Sequence, residues 1–481
     1  MKKSMMCALV AVTIGVAAAV AAPAGVAAVP ALTGAEAAVG AWSGPFTPAG
    51  ATSRVIGVHS IMLYTGKVLM FGNVRPTQGY VYDPVTGIAN EADPPADIEC
   101  GGMTPLEDGR ILVVGGHGKG ATGINNILLF DPVTATWTPQ PPSPQGRYYP
   151  TTTRLADGRV LISGGFTNTG ANNTNVEVYT PPPVGSSVGT LALVGQHVGG
   201  LYPRQWVLPD GRVLEAKRSA VLLDPSTWTW TAMASTKVNH YSGYGSILMP
   251  GSPAGSTKVV VIGGGNNTSA VSATESFDEA TPSAGWTLRA PLPQPRAHMS
   301  PVLLPDGSVL GVGGNSQGLF ALPQYGALRY VPQTNTWTTL AAQVERRGYH
   351  SSAVLLPDGR VLSAGDTGAG GGGNTDEIYS PPYLFQGARP TISSAPSQVA
   401  HDATFTISTP DPNSRAVLMS PGAATHTTDM SERHVELQVT AGSGQLTAVA
   451  PSKNVALTGW YMLFLVNSAG IPSTATWIHV G

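Results

Sequence analysis

The chain has 481 residues, including 59 glycines and 41 prolines, with only 11% charged residues and a formal net charge of −2. This length allows a large core, and the near-neutral charge excludes a strongly basic surface of the kind that binds nucleic acid or an anionic membrane. A composition so rich in turn-forming residues is typical of a mostly β globular protein.

The N-terminus has the layout of a secretory signal. Lys2 and Lys3 precede an apolar run over residues 8–22, and small residues that offer cleavage points follow as far as Ala37. We therefore expect residues 1–37 to comprise a signal peptide and a short N-terminal segment. We expect the mature protein to be secreted and to contain no membrane span, since no later stretch is apolar for long enough.

The two cysteines differ in their expected fates. Cys7 precedes the apolar run and leaves with the signal, so Cys100 becomes the odd cysteine of an exported protein. Such a residue is explained by a reactive thiol, an intermolecular disulfide, a modification or an inert buried thiol. The cysteine count alone leaves these alternatives open.

Internal repeats determine the expected fold. The pattern Leu-x-Asp-Gly-Arg-(Val/Ile)-Leu-x-x-Gly-Gly occurs at residues 106–116 and 155–165. Looser copies occupy residues 208–214, 304–314 and 356–365, and unmarked segments at 66–72 and 258–265 fill the gaps. The period is near fifty residues, with a hairpin turn at each Asp-Gly and four strands per unit, which is typical of a kelch-type propeller blade. The Asp-Gly and Gly-Gly pairs are therefore interpreted as architecture.

The repeat stops after Phe385, and short alternating strands follow. The predicted fold class is therefore all-β, with a seven-bladed kelch-type β-propeller over residues 42–386 and a C-terminal immunoglobulin-like β-sandwich over residues 387–481. Within the predicted sandwich, residues 420–427 form a loop that carries His426.

The residues with chemical function stand in short strings at predicted blade entrances. Cys100 precedes one inner strand, Tyr149 precedes the next, and the pair Tyr349 and His350 precedes that of the last blade. Two phenols and two imidazoles that converge at one end of a propeller, with His426 as the second imidazole, would supply an N,O donor set suited to tetragonal Cu(II).

These strings, together with the closing segment 459–473, resemble the galactose oxidase and glyoxal oxidase family of copper radical oxidases. The resemblance implies that Cys100 and Tyr149 join through a thioether bond into a redox-active tyrosine, the tyrosyl radical cofactor, in a reaction that needs copper and O2. It also implies that Tyr149, His350 and His426 are equatorial ligands of one copper ion. Tyr349 is then the axial ligand and the base, and the loop that bears His426 reaches up the propeller axis.

The substrate is expected to be a small aldehyde, oxidised as its hydrate, or a simple primary alcohol, with O2 as acceptor and H2O2 as product. Galactose oxidase stacks a tryptophan over its thioether, but the matching stretch here is Phe166 and Thr167, so shielding would fall to Phe166 or to a residue from elsewhere. The strings around Tyr149 and Tyr202 are closer to glyoxal oxidase, and only about sixty residues precede the first blade, too few for the sugar-binding domain of galactose oxidase.

We place Phe166, Thr167, Tyr202 and Arg204 at the substrate mouth. The protein is expected to act as a monomer, and a peroxidase that uses the H2O2 is the expected partner enzyme.

Two alternatives come from other functional classes. A secreted kelch propeller that only binds a glycan or a cell-wall component would leave Cys100 as an inert thiol, and the fold alone does not exclude it. A hydrolase of the sialidase kind is disfavoured because the sequence offers neither an arginine triad nor Asp-box repeats. The remaining blade histidines are expected to form hydrogen bonds in the pore or to pack between blades; they are His59, His117, His240 and His298.

Overall fold

The computed structural model describes residues 34–51, 56–72, 77–183, 186–250, 257–366 and 375–481. Helical structure within these ranges is confined to the α-helix Glu36–Val39 and the 3-10 helices Pro282–Ala284 and Pro382–Phe385. Within these described ranges, no helix has the length and apolar character needed to cross a membrane. Nearly all of the predicted signal segment lies outside the described residues.

Antiparallel sheets, mostly of four strands, follow one another along the first four-fifths of the chain. Numbered in chain order, sheet 1 contains His59–Met62, Val68–Phe71, Gly79–Asp83 and Ile88–Glu91, and sheet 2 contains Gly102–Pro105, Ile111–Val114, Ile127–Asp131 and Thr136–Pro139. Sheet 3 contains Thr151–Arg154, Val160–Ser163, Asn175–Thr180 and Thr190–Gln196, and sheet 4 contains Gln205–Val207, Val213–Glu215, Val221–Asp224 and Thr229–Ala232.

The later sheets follow the same plan. Sheet 5 contains Gly245–Pro250, Thr257–Ile262, Thr274–Asp278 and Trp286–Leu288, and sheet 6 contains Ser300–Leu303, Val309–Val312, Gly326–Val331 and Thr336–Ala342. Sheet 7 contains Ser351–Leu355, Val361–Gly365, Glu377–Ser380 and, from the start of the described chain, Ala41–Trp42. A separate hairpin, Asn315–Gln317 with Ala321–Pro323, is inserted within sheet 6.

The Asp-Gly-Arg motif forms the turn between the first two strands of a sheet. In sheet 2 the Asp108 carboxylate accepts the backbone N–H of Arg110 at 3.0 Å and its guanidinium Nε–H at 2.7 Å. Gly109 between them has φ 88°, a left-handed conformation that glycine adopts without steric cost. The same pair of bonds recurs in sheets 3, 4 and 7, so the predicted hairpin turns are present.

The first strands of the sheets lie side by side around a common centre. Those of sheets 2 and 3, 3 and 4, 5 and 6, 6 and 7, and 7 and 1 are in contact. Ala41–Trp42 pairs with Glu377–Ser380, which joins the two ends of this region. The all-β class is confirmed, and the succession of four-stranded sheets agrees with a propeller; the count of seven blades stays a prediction.

Residues beyond 387 form two further sheets. The larger has the strand order Gln398–Val399, Thr476–Val480, Gly459–Val466, Arg415–Ser420 and Arg433–Glu436, and the smaller has the order Thr404–Ser408, Gln445–Val449 and Gln438–Gly442. Apolar side chains from both sheets, among them Ile407, Leu418 and Leu463, share one buried core. Two sheets over one core agree with the predicted β-sandwich.

A hairpin from this C-terminal region joins sheet 1. Its strands are Ala423–Thr425 and Thr428–Asp429, and the first of them pairs with His59–Met62, placing Thr425 opposite His59. The hairpin also approaches the first strands of sheets 2, 5 and 7. The Asp429 carboxylate accepts the N–H groups of Ala423 and Glu432, which holds the hairpin closed. His426 at its tip therefore lies among the first strands.

Candidate metal centre

The backbone is left-handed at non-glycine residues just before several first strands. Cys100 has φ 61°, Tyr149 62° and His350 66°, and His426 at the hairpin tip has φ 47°. Tyr202 and His298 share this conformation, with φ 43° and 57°. Bulky residues rarely adopt it and retain it only where the surrounding structure enforces it, often at functional sites. The strained residues therefore mark one end of the ring of first strands.

Backbone hydrogen bonds connect neighbouring entrances. The N–H of Tyr149 donates to the carbonyl of Cys100 at 2.9 Å, and the N–H of Tyr202 donates to the carbonyl of Tyr149 at 2.7 Å. The left-handed turns are thus linked from sheet 2 to sheet 4. This fixes the side chains of Cys100 and Tyr149 against each other in one small buried cluster.

Two phenols and two imidazoles converge beside that cluster. The hydroxyl of Tyr149 bonds to the hydroxyl of Tyr349 and lies 3.1 Å from Nε2 of His350. Nε2 of His426 lies 3.8 Å from Sγ of Cys100, and the ring centroids of His350 and His426 are 4.5 Å apart. The structure thus brings together the five residues that the sequence predicted for the centre.

Burial keeps these groups uncharged in the absence of a cation. It lowers the pKa of His350 to about 4 and that of His426 well below its usual value, so both imidazoles are neutral at pH 7. Burial also raises the pKa of Tyr349 to about 12 and raises the pKa of the Cys100 thiol. Neutral imidazole nitrogens have free lone pairs, which a metal ion requires.

The second nitrogen of each imidazole has a polar neighbour that orients the ring. Nδ1 of His426 is 2.6 Å from Oγ1 of Thr425, and Nδ1 of His350 is 3.9 Å from Oε1 of Glu99. Both arrangements leave Nε2 directed towards the Tyr149 and Cys100 cluster. The hydrogen bond to Thr425 fixes the ring orientation of His426, as outer partners do for histidine ligands.

The donor chemistry fits copper. Ligand atoms of Cys100, His350 and His426 lie within 4.8 Å of one another, and the two phenol oxygens lie beside them. Imidazole and phenolate donors suit copper, whereas calcium and magnesium sites are built mainly from carboxylates and carbonyls. We interpret the cluster as a candidate copper site.

The predicted mouth residues occupy different surroundings. Tyr202 is buried, with its ring centroid 4.7 Å from that of Tyr149 and its hydroxyl donating to the Gly101 carbonyl. Arg204 is also buried, and its guanidinium donates to the carbonyl of His426 at 3.4 Å. Arg204 therefore contacts the His426 hairpin and lines a neighbouring cavity.

Phe166 and Thr167 lie in the loop that follows the second strand of sheet 3. The backbone of Phe166 pairs with that of Tyr148 through two hydrogen bonds of 2.8 Å. The Thr167 hydroxyl lies 2.9 Å from that of Thr169 within the same loop and accepts local backbone N–H groups. The ring contacts of Tyr149 come instead from Tyr148, Tyr202 and His426.

Sequence reasoning missed Tyr148. Its ring centroid is 4.2 Å from that of Tyr149 at an interplanar angle of 62°. Its position directly before Tyr149 was the available signal. A side chain one residue away is not expected to cover its neighbour in an extended strand, but the left-handed turn at Tyr149 brings the two rings together.

Sequence reasoning also missed Phe320, which lies on the hairpin inserted in sheet 6. Its side chain is 57% exposed, and its ring centroid is 5.4 Å from that of Tyr349 and 5.9 Å from that of His298. Neither ring nitrogen of His298 has a hydrogen-bond partner among the described residues. An apolar ring and a buried imidazole thus flank Tyr349.

The other blade histidines have structural partners, as expected. Nε2 of His59 accepts the N–H of Cys100 at 2.9 Å. Nε2 of His117 is 2.8 Å from the Gly120 carbonyl, and Nδ1 of His240 is 2.6 Å from the Gly263 carbonyl. Of these, His59 alone contacts the backbone of a predicted site residue.

Comparison with known proteins identifies the family. Residues 77–381 match the family described as "Glyoxal oxidase N-terminus", and residues 389–480 match "Galactose oxidase-like, Early set domain". The chain belongs to the galactose oxidase and glyoxal oxidase family of copper radical oxidases. It is therefore a copper-dependent oxidase by family.

Relatives and a solved structure cover most of the chain. A galactose oxidase of Gibberella zeae is 29% identical over 478 residues, covering 86% of this chain and 67% of that protein. Aldehyde oxidase GLOX of Vitis pseudoreticulata is 29% identical over 436 residues, covering 80% and 82%. A fungal alcohol oxidase of the AA5 family, solved in complex with copper, superposes with a TM-score of 0.79 at 25% identity, covering 92% of this chain and 99% of that one.

Proposed function

We propose that this copper radical oxidase uses a Cys100–Tyr149 thioether cofactor to oxidise small aldehydes, as their hydrates, or primary alcohols. The observation that supports this most directly is the convergence of the Tyr149 and Tyr349 hydroxyls and the His350 and His426 imidazoles beside the buried Cys100 thiol. The overall reaction of an aldehyde hydrate is RCH(OH)2 + O2 → RCOOH + H2O2. A module that only binds glycans has no need of this assembly.

His350, His426, Tyr149 and Tyr349 would hold the copper ion. When bound, copper supplies a one-electron redox change and polarises the substrate oxygen as a Lewis acid. The thioether forms as the Cys100 S–H bond and one ortho C–H bond of Tyr149 break and a C–S bond forms, with both hydrogens passing to O2 as H2O2. Sulfur next to the phenol oxygen delocalises an unpaired electron, which lowers the potential needed to oxidise Tyr149.

Tyr349 and Tyr149 have different roles in the oxidation of the substrate. Tyr349, whose phenolic proton a bound cation would displace, takes the proton of the substrate hydroxyl as the base. Tyr149, in its oxidised form, takes the hydrogen atom from the neighbouring carbon. The bond between the two hydroxyls places these acceptors beside each other, within reach of one CH–OH group.

We assign the shielding of oxidised Tyr149 to Tyr148. The Tyr148 ring packs at 4.2 Å from that of Tyr149, whereas Phe166 meets Tyr148 through its backbone. Tyr148 therefore takes the role that the sequence comparison gave to Phe166 or to a residue from elsewhere. We further propose export through the N-terminal signal, action as a monomer, and a peroxidase as the consumer of H2O2.

The decisive experiment is the intact mass of the purified protein before and after exposure to copper and air. We expect the loss of two hydrogens and a proteolytic fragment that links Cys100 to Tyr149. The Cys100→Ala variant, treated in the same way, is the control and keeps its mass. An unchanged wild-type mass, with no peroxide from glycolaldehyde, would contradict the proposal and favour a non-catalytic binding propeller.

A further inference from the structure

A cavity of about 530 Å³ lies beside the candidate copper site, at the entrances of sheets 4 and 5. Its walls come mainly from residues 199–204, 217–219 and 236–244. Arg204 belongs to this wall and also contacts the metal-site hairpin, with its guanidinium 3.1 Å from Oγ1 of Thr427. The volume is in the range of small-molecule sites.

The charged residues that line the cavity are all basic. Arg204, Lys217 and Arg218 line the cavity, and the residues that line it include no aspartate or glutamate. Lys217 is paired with Glu215, which is buried behind the wall. Arg204 donates to carbonyl and hydroxyl oxygens, and exposed Arg218 donates to the Thr236 carbonyl. Two guanidinium charges thus have no carboxylate partner among the described residues, which favours an anionic ligand.

An exposed aromatic ring stands at the same cavity. Tyr241 is 54% exposed and has φ 54°, so a bulky residue is held in a strained conformation with its ring largely in solvent. An aromatic face of this kind packs well against the apolar face of a pyranose. Ser219, Ser242 and Asn239 add hydroxyl and amide groups to the lining.

We propose that the cavity binds a saccharide unit that carries a carboxylate or a phosphate, as the distal part of the substrate. The primary alcohol or aldehyde of the same molecule reaches the copper site past Arg204. This assignment rests on the proposed oxidase function, and it narrows the substrate class from small carbonyl compounds and alcohols to those borne by anionic saccharides.

The first test measures binding to the copper-loaded enzyme under nitrogen. Glucuronic acid, glucose 1-phosphate and neutral glucose are titrated by calorimetry. We expect one or both anionic sugars to bind at least about tenfold more tightly than glucose, and the tighter of the two identifies the anionic group. Arg218→Ala should abolish this preference. Equal affinity for all three sugars, or a preference that survives Arg218→Ala, would overturn the proposal.

The matched control is Arg212→Ala. Arg212 is an exposed arginine of the same sheet, paired with Asp210 at the opposite end of the strand Val213–Glu215. Its loss removes one positive charge without touching the cavity, so the preference for anionic sugars should remain. Tyr241→Ala serves as a second cavity variant. It should weaken the binding of all three sugars to a similar extent, because it removes the stacking surface.

The second test uses peroxide production. Arg218→Ala should raise KM for glucose 1-phosphate about tenfold and leave kcat and the turnover of glycolaldehyde unchanged. If the wild type oxidises glycolaldehyde but Arg218→Ala leaves the KM for glucose 1-phosphate unchanged, the cavity assignment fails while the oxidase function stands. If no substrate yields peroxide, the proposed function fails. The calorimetric result then decides whether the cavity binds anionic saccharides.

Discussion

Both ends of the first strands contain residues in the left-handed conformation, but the residue types differ between the two ends. At the turn end, the residue after each motif aspartate is a glycine with φ between 83° and 88°, as in Gly109 and Gly158. At the entrance end, Cys100, Tyr149 and His350 adopt positive φ without being glycine. A left-handed non-glycine residue costs roughly 1–2 kcal/mol. Along the first strands, the left-handed non-glycine residues therefore lie at the entrance end, where side chains have chemistry to perform.

The largest effect is expected from Cys100→Ala. Alanine at φ 61° keeps the backbone strain, so this variant removes the sulfur alone. Copper should still bind through the remaining donors, while peroxide production from glycolaldehyde falls by about a thousandfold or more. A peroxidase-coupled assay and a copper titration measure the two quantities. Near-normal turnover would refute the thioether cofactor.

The next effect concerns the hairpin tip. His426→Ala also keeps a left-handed residue but removes one imidazole, so the dissociation constant for copper should rise about a hundredfold or more. His401→Ala is the matched control, since His401 lies in the same C-terminal region and bonds to the Pro451 carbonyl and the Thr458 hydroxyl. Equal copper affinity in the two variants would show that the hairpin does not hold the metal.

The order of kcat/KM among substrates tests which substrates the side chains at the strand entrances select. Glycolaldehyde, methylglyoxal or glyoxal should exceed galactose in kcat/KM, because an exposed ring, Phe320, and a buried imidazole, His298, flank Tyr349. Among the described residues, no indole contacts the ring of Tyr149. A preference for galactose of about tenfold or more, equal to roughly 1.4 kcal/mol, would overturn this ranking and leave the copper site intact.

The turn end is tested by Gly307→Ala. Gly307 has φ 88°, and a Cβ there would meet its nearest atom at 3.9 Å, so the substitution adds strain without a clash. We expect the free energy of unfolding to fall by about 1–2 kcal/mol, measured by chemical denaturation, with unchanged turnover. No loss of stability would mean that the turn relaxes out of the left-handed conformation.

The smallest effect is the reverse change at the entrance end. Tyr241→Gly replaces a strained, half-exposed tyrosine with the residue that tolerates φ 54°, so the free energy of unfolding should stay level or rise by up to about 1 kcal/mol. Denaturation curves check this alongside those of Gly307→Ala. A clear loss of stability would show that the Tyr241 ring contributes to packing, and the contrast between the two ends would not hold there.

The sequence predicts those parts of the fold that are specified by contacts within one short motif. The Asp108 carboxylate and the Arg110 guanidinium meet two residues apart, so each turn is specified within its own motif and repeats visibly. The family resemblance predicts that the loop bearing His426 reaches the centre, although 326 positions separate His426 from Cys100. Phe320 and the burial of Arg204 follow from contacts between distant segments, which have no periodic pattern to reveal them.

The pairing of Ala41–Trp42 with Glu377–Ser380 has a consequence for biogenesis. The last sheet contains strands from both ends of the region, so it forms only after some 340 intervening residues have been synthesised. The entrance of that sheet carries Tyr349 and His350, and His426 emerges later still. A prematurely terminated chain therefore lacks the complete donor set. Copper binding thus indicates that the chain has been synthesised to its C-terminal region and that the last sheet has formed.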